Sequence, residues 1–536
     1  MLQSIPFSRR GFLAGSASLV ALTALPQLVC AQGTPRAGGT LVVAADTEPR
    51  NLNPAMVASN DVFYVASKVI EPLAEATFEG PPRPLLATSW EGSADGMSIT
   101  FNLRKGVKFH DGQPFTSADV AFSAMEVWKP LQNFGRIVFK NLTAVDTPDD
   151  STAIFRFSAP TPPQLIENAL PSLTSVLPKH LYAGTDFDKN PHNADLIGTG
   201  PFRFVEYKQG QYYRLAKNPD YWDSGHPYLD GIVFKVLPDP ASISNALETG
   251  DIQLAAFSAV PMTDLDRLAA TGKLDVISKG YEAITYQIVL EINHRRKELQ
   301  DLRVRQALDY AIDKSFLVKT VFLGYAQPAN GPIPVTAKEF YDTNLAAYDF
   351  DPKKAEALLD EAGYKRGADG TRFQLKLLPA PWFAESRQSG DYVRQALKAV
   401  GIDAQIVNND AGGHIKAVYG DHAFDLAIGT PVYRNDPAIS TTILFRGGVP
   451  AGVPFSNQYG FDDPAMDAII DKAAVTIDSS ARADLYRQFQ ELAMKELPII
   501  NLVNFSFISV ANKSVQNVAN NPRWATTSWY DTWLAS

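Results

Sequence analysis

Cysteine is all but missing. The 536-residue chain carries one, Cys30, and it falls inside an expected leader. The body of the chain therefore forms no disulfide and must rest on burial, which a chain this long can supply through two or three packed lobes. Histidine is scarce, at seven. No Gly-x-Ser-x-Gly elbow, His-Glu-x-x-His pair or phosphate-binding loop occurs, so catalysis has no motif behind it. Gly198-Thr199-Gly200 is a turn, a mere fragment of a dinucleotide fingerprint. Asp149-Asp150 and Asp462-Asp463 read as a turn and a helix cap, not as an acid and its base. His414 and His422, near Asp421 and Asp425, read as surface or capping histidines; no metal and no cofactor is expected. Positive charge is outnumbered, 49 basic to 58 acidic residues. The leader holds two arginines and no acid, so the rest is more acidic still. That disfavours nucleic acid and anionic lipid as partners.

What is present begins at the first residues. Ser8-Arg9-Arg10-Gly11-Phe12-Leu13 is a twin-arginine pair followed by an apolar run over 14–29. Val29 and Ala31 suit a cut after Ala31. Residues 1–31 thus read as a twin-arginine signal peptide, and the protein is expected in the periplasm. The run, about 16 residues and broken by Pro26, is short of the roughly 20 that span a bilayer. Cys30 follows Val29, where lipid attachment wants a small residue. No apolar stretch near membrane-spanning length follows, so the mature chain is expected to be soluble.

Three α/β blocks follow without a strong linker. In the first, 40–45 is a buried strand, 62–76 a helix and 97–103 an alternating strand. A capped helix covers 116–128, and 142–145 with 152–157 form a hairpin across Thr147-Pro148-Asp149-Asp150. In the second, from Ile197, 201–207 pairs with 212–217 across Gln209-Gly210-Gln211. Strand 231–237, helix 240–249 and strand 252–256 come next. The third starts near Thr285 with a strand over 285–292 and helices over 302–312 and 314–323. Asp351-Pro352 and Asp463-Pro464 each place a capping aspartate before a first-turn proline. Strands are expected at 373–378, 404–407, 425–428 and 505–511, with helices at 385–399, 413–419 and 481–495.

Lys217-Asn218-Pro219-Asp220-Tyr221-Trp222, running on to Ile232, resembles the family 5 extracellular solute-binding proteins of ABC importers, the oligopeptide, dipeptide and nickel class. Leu103-Arg104-Lys105-Gly106-Val107-Lys108-Phe109-His110-Asp111-Gly112, Ile197-Gly198-Thr199-Gly200-Pro201-Phe202, Val304-Arg305-Gln306-Ala307-Leu308 and 485–498 match in the family's order. The resemblance implies an α/β, bilobal periplasmic-binding-protein fold with an additional third domain, the large cluster-C type. It implies domain I over 38–70, 198–286 and 500–536, domain II over 71–197, domain III over 287–499, and hinges near 286–293 and 498–504. It also implies a non-enzyme that captures a peptide or other small solute by hinge closure and hands it to permease subunits in the inner membrane, as a monomer. The matched motifs themselves read as scaffold: their glycines and prolines suit tight turns.

The ligand question turns on Gly429-Thr430-Pro431-Val432-Tyr433-Arg434-Asn435-Asp436-Pro437. In peptide-binding members this loop carries an aspartate that pairs with the peptide's amino terminus. Anchoring on Asp436-Pro437 puts Tyr433 at that place. Asp436 either takes over as anchor or caps the following turn, and Arg434 suits a carboxylate, read bidentately. A non-peptide anionic or aromatic solute therefore stands beside a peptide. Thr47, Glu48 and Asn53 follow the first strand at its carboxyl end, where open α/β sheets bind ligands. Trp382 and Arg387 start a helix that faces the same cleft, and Trp524, with Trp529 and Tyr530, suits a pocket wall. An exported hydrolase, a receptor-linked sensor and a nickel or haem carrier are the rival readings.

Overall fold

The computed structural model describes residues 34–49 and 51–535. The expected leader lies outside them. Thr40–Ala45 (TLVVAA) is apolar along its length and forms the middle of a seven-stranded sheet. It runs parallel to Gly231–Val236, with Val43 opposite Phe234, and to Leu254–Ala255. On one side Gly231–Val236 pairs antiparallel with Tyr212–Lys217, which pairs with Phe202–Lys208. On the other side Ser509–Asn512 sits between Leu254–Ala255 and Leu274–Ile277. The start, middle and end of the chain thus share one sheet. A four-stranded antiparallel sheet, Ala87–Gly92, Ser98–Leu103, Thr152–Phe157 and Leu142–Asp149, belongs to the same apolar core. Ser98–Leu103 alternates as its sequence demands, Ile99, Phe101 and Leu103 inward.

A second sheet centres on Thr285–Ile292, flanked antiparallel by Ile499–Phe505 and Leu426–Gly429. Leu426–Gly429 continues in parallel to Phe373–Pro379, and that strand to Ile402–Ile406. Both faces are covered, so these strands are apolar on both sides: Leu375 and Leu377 enter one cluster, Leu378 and Ala427 another. The predicted caps form: Asp351 accepts from Lys354 N at 3.0 Å and Asp463 from Ala465 N at 2.8 Å.

Four expectations change. The helix from Val62 ends at Ala66, and Ala74–Glu75 is a short strand. The carbonyls of Lys68 and Val69 accept instead from Phe202 N and Gly200 N, at 3.1 and 2.9 Å. The capped helix after Thr116 is α-helical over Ser117–Phe122 and widens to a π-turn over Ser123–Trp128. The last strand is two, Ile499–Phe505 in the second sheet and Ser509–Asn512 in the first. The chain passes between the sheets at 278–284 and 506–508. The segments expected as hinges are instead paired strands, with Tyr286 opposite Phe505.

Three of the family-like motifs gather around one buried carboxylate, while 304–308 and 485–498 meet in the second body, where Arg305 donates to Glu496 O. Glu71 accepts from Thr199 Oγ1 at 2.8 Å, Tyr221 OH at 2.7 Å and Trp222 Nε1 at 3.0 Å. Arg104 lies 4.0 Å over the Trp222 ring, and His110 Nε2 meets Gly200 O at 2.9 Å. Gly198 and Gly200 press on the backbone of Lys68 and Val69 so closely that a Cβ at either position would collide with it. Burial pushes the Glu71 carboxyl up to about 7, against the three bonds it accepts.

Candidate functional site

A cleft of about 1000 Å³ opens between the two bodies. One wall is residues 76–80 and 82 with Asn168 and Pro171; the other is residues 324–327 and 335–340 with Tyr433 and Asn435. Polar contacts bridge it. Lys338 Nζ lies 3.7 Å from Glu79, Gln164 bonds Glu339, and Asn168 Nδ2 donates to Asp436 at 3.1 Å.

The loop 429–437 carries the candidate recognition residues. Val432–Tyr433 is a short strand paired with Thr285 and Tyr286, so its side chains alternate. Tyr433 and Asn435 face the wide cleft, while Arg434 turns the other way, its guanidinium 4.5 Å from the centre of the Phe134 ring. Asn435 then takes φ 58°, which asparagine tolerates, and Asp436 N donates to Arg434 O at 2.7 Å across it. That tight reversal separates the directions of Arg434 and Asp436.

Asp436 is fully engaged. Its carboxylate accepts from Arg482 Nη1 and Nη2, from Asn168 Nδ2 and from Ala438 N, where it caps Pro437–Ser440. The capping alternative is the one the geometry realises; no lone pair remains for a solute amine. Arg434 is 6% exposed, and its Nε and Nη1 have no partner among the described residues. Burial lowers its affinity for the proton.

The other expected contacts divide. Glu48 accepts from Tyr207 OH and from Gly210 N at 3.0 Å, tying the first strand's loop to the hairpin turn. Asn53 is buried, donates to Asn193 Oδ1 at 3.0 Å and accepts from Ala55 N at 3.0 Å. These are scaffold bonds, made because a buried amide must be satisfied locally. Thr47 is exposed. Trp382 Nε1 donates to Thr430 Oγ1 at 2.5 Å, with its ring edge-on to His414 and Phe455. Arg387 is exposed and reaches only Pro381 O, at 3.3 Å. Trp524 is buried and stacked 5.0 Å from Trp529, its own Nε1 unpartnered.

His414 is buried rather than superficial, both ring nitrogens without a partner, and desolvation brings it down to about 4. Among the described residues no group of three or more metal-ligating side chains occurs, and no helix is long and apolar enough to cross a membrane. The sequence reading missed Arg523, in Asn521-Pro522-Arg523-Trp524. It is 2% exposed, with its guanidinium 5.8 Å from the Phe63 ring. Its signal was a lone cation in an aromatic-rich terminal segment.

Comparison with known proteins adds a lineage. The family described as bacterial extracellular solute-binding proteins, family 5 Middle, matches residues 81–453. A dipeptide-binding protein of Escherichia coli is 28% identical over 546 residues, covering 97% of each chain. The glutathione-binding protein GsiB of Pectobacterium atrosepticum is 28% identical, covering 80% of this chain and 82% of its own. The structure of NikZ from Campylobacter jejuni in complex with Ni(L-His) is 26% identical, with a TM-score of 0.76 over 90% of this chain and 95% of that one.

Proposed function

Because the chain belongs to family 5 of the bacterial extracellular solute-binding proteins, we propose that it captures a peptide or other small solute in the periplasm by hinge closure and delivers it to the permease of an ABC importer. The observation that carries this is the cleft: two bodies joined by two short crossings, at 278–284 and 506–508, with walls from both. A solute touching both walls favours the closed state by the free energy of its added contacts. We read domain II as 71–197, domain I as 38–70, 198–284 and 506–536, and domain III as 285–505, the expected boundaries at 286 and 500 moving to the two crossings because 285–292 and 499–505 are strands of the second sheet, with residues 1–31 as a cleaved leader. The protein works as a monomer, without nucleic acid and without a covalent step.

Of the expected residues, Tyr433 lines the cleft, and Arg434, though buried, keeps N–H groups without a partner among the described residues. A second reading, a non-peptide anionic or aromatic solute, is favoured by one observation: Asp436 is neutralised by Arg482 while Arg434 Nε and Nη1 have no partner among the described residues. Native mass spectrometry of freshly purified protein tests the capture role by identifying a retained solute. Small-angle scattering then shows whether adding it back compacts the protein. No compaction with any candidate, together with turnover by the pure protein, overturns the proposal.

A further inference from the structure

Buried arginines in this chain are normally satisfied. Arg482 grips Asp436, and Arg305 donates to the carbonyls of Leu299, Gln300 and Glu496. Arg434 and Arg523 break the pattern. Both are buried, and neither guanidinium has a hydrogen bond or ion pair among the described residues. Arg434 Nε and Nη1 and Arg523 Nη2 are sealed from solvent without a partner. They come from different bodies: Arg434 follows a strand of the second sheet, Arg523 precedes the Trp524–Thr526 turn packed on the first. They are close enough that the charge of Arg434, after burial itself, helps bring Arg523 down to about 9.

This arrangement is unfavourable as it stands. An unpaired buried cation is penalised by several kcal/mol, and a like charge nearby adds to that. The floors beneath the two groups are aromatic, Phe134 and Phe63, and offer no counter-charge. Asn60 and Ser528 each leave a buried polar atom unsatisfied nearby: Asn60 bonds Tyr286 only through Nδ2, and Ser528 shares a small cavity with Arg523 and Phe63. Charges left in this state mark a place where something else completes the set.

We propose that Arg434 and Arg523 together receive an acidic group of the captured solute, one guanidinium supplied by each body, so that the acid itself holds the bodies shut. The proposal rests on the solute-capture reading and narrows it: the cargo is an organic acid recognised through its carboxylate or an equivalent oxyanion. Two planar forks of N–H donors match such a group, and Arg434 Nε and Nη1 with Arg523 Nη2 are the sealed donors left to meet it. Asp436 is not available to an ammonium group, because it is spent on Arg482 and Asn168.

The test uses the full mature protein, dialysed free of retained solute, with succinate, its neutral diamide and inorganic phosphate as probes at matched ionic strength. Thermal melting and scattering are read for wild type, Arg434→Gln and Arg523→Gln. Succinate or phosphate should raise the wild-type melting temperature while the diamide does not, and each variant should need at least about tenfold more anion for the same rise. Without anion, Arg523→Gln should melt no lower than wild type, since it removes an unpaired charge. A marked drop in that melt assigns Arg523 to scaffolding and overturns the receptor. So does an undiminished response in both variants, or a wild type indifferent to both anions. Compaction by an uncharged peptide amide alone keeps the clamshell and removes the receptor. Anion binding lost in both variants, without any compaction in wild type, keeps the receptor and removes hinge closure.

Discussion

Arg482 holds Asp436 with both ends of its guanidinium, Nη1 to Oδ2 at 2.7 Å and Nη2 to Oδ1 at 2.6 Å, and neither side chain reaches solvent. The same two residues touch the opposite wall, Asp436 through Asn168 at 3.1 Å and Arg482 through Gln164 at 3.1 Å. The pair is therefore both an internal prop of the second body and a bridge to the first.

Asp436→Asn should destabilise the protein by about 3–5 kcal/mol, because Arg482 would remain buried without its counter-charge. Urea denaturation of the solute-free protein measures it. A change under about 1 kcal/mol with a collapse of solute affinity would instead mean that Asp436 is a ligand anchor.

Asn168→Ala removes a contact made only when the walls are together. It should leave denaturation of the separated bodies nearly unchanged and weaken solute affinity by about fivefold, the worth of roughly one hydrogen bond. Titration calorimetry with the identified solute reads this, and unchanged affinity counts against the bridge.

Glu291, buried on the central strand of the second sheet, is pushed up to about 8 by desolvation, and Glu71 to about 7. Unfolded glutamates release their protons near pH 4.3, so these two stabilise the fold below that and lose the contribution as pH rises through 7 and 8. His110, His294 and His414, each depressed to about 4 mainly by burial, act oppositely and destabilise as pH falls from about 6.5 to 4. Glu291→Gln should therefore gain on wild type with rising pH, from little at pH 5 to on the order of 3 kcal/mol at pH 8.5. Melting curves across that range check it; a gap that does not change with pH contradicts it.

Gly198→Ala drives a methyl group into the Val69 carbonyl, a backbone atom with no freedom to yield. A loss of at least about 3 kcal/mol, or failure to fold, is expected. Circular dichroism and denaturation decide, and a near-neutral variant would show that the turn can shift.

The legible parts of the fold were those written in neighbouring residues. Asp351-Pro352 and Asp463-Pro464 announced their helices, and Gln209-Gly210-Gln211 its hairpin, because caps and turns are local. The break at 506–508 was invisible. Phe505 to Ala511, rich in aromatic and branched residues with no glycine or proline inside, reads as one strand, and only the two sheets waiting on either side divide it. The early end of the helix after Ala66 was set by carbonyl partners more than a hundred residues away. In the site, Arg434 stood out by its place in a loop. Arg523 did not, since nothing in its own segment reveals that its guanidinium is left without a partner among the described residues. The role of Asp436 could not be decided without Arg482, forty-six positions later.

The strand Ser509–Asn512 lies inside the first sheet, with neighbours on both flanks. A ribosome therefore has to read through to this strand, far along the chain from Thr40–Ala45, before that sheet can close, and a product stopped short of it carries a gap in the sheet's interior rather than a missing fringe. Synthesis of that distant segment and closure of the first sheet are coupled by topology.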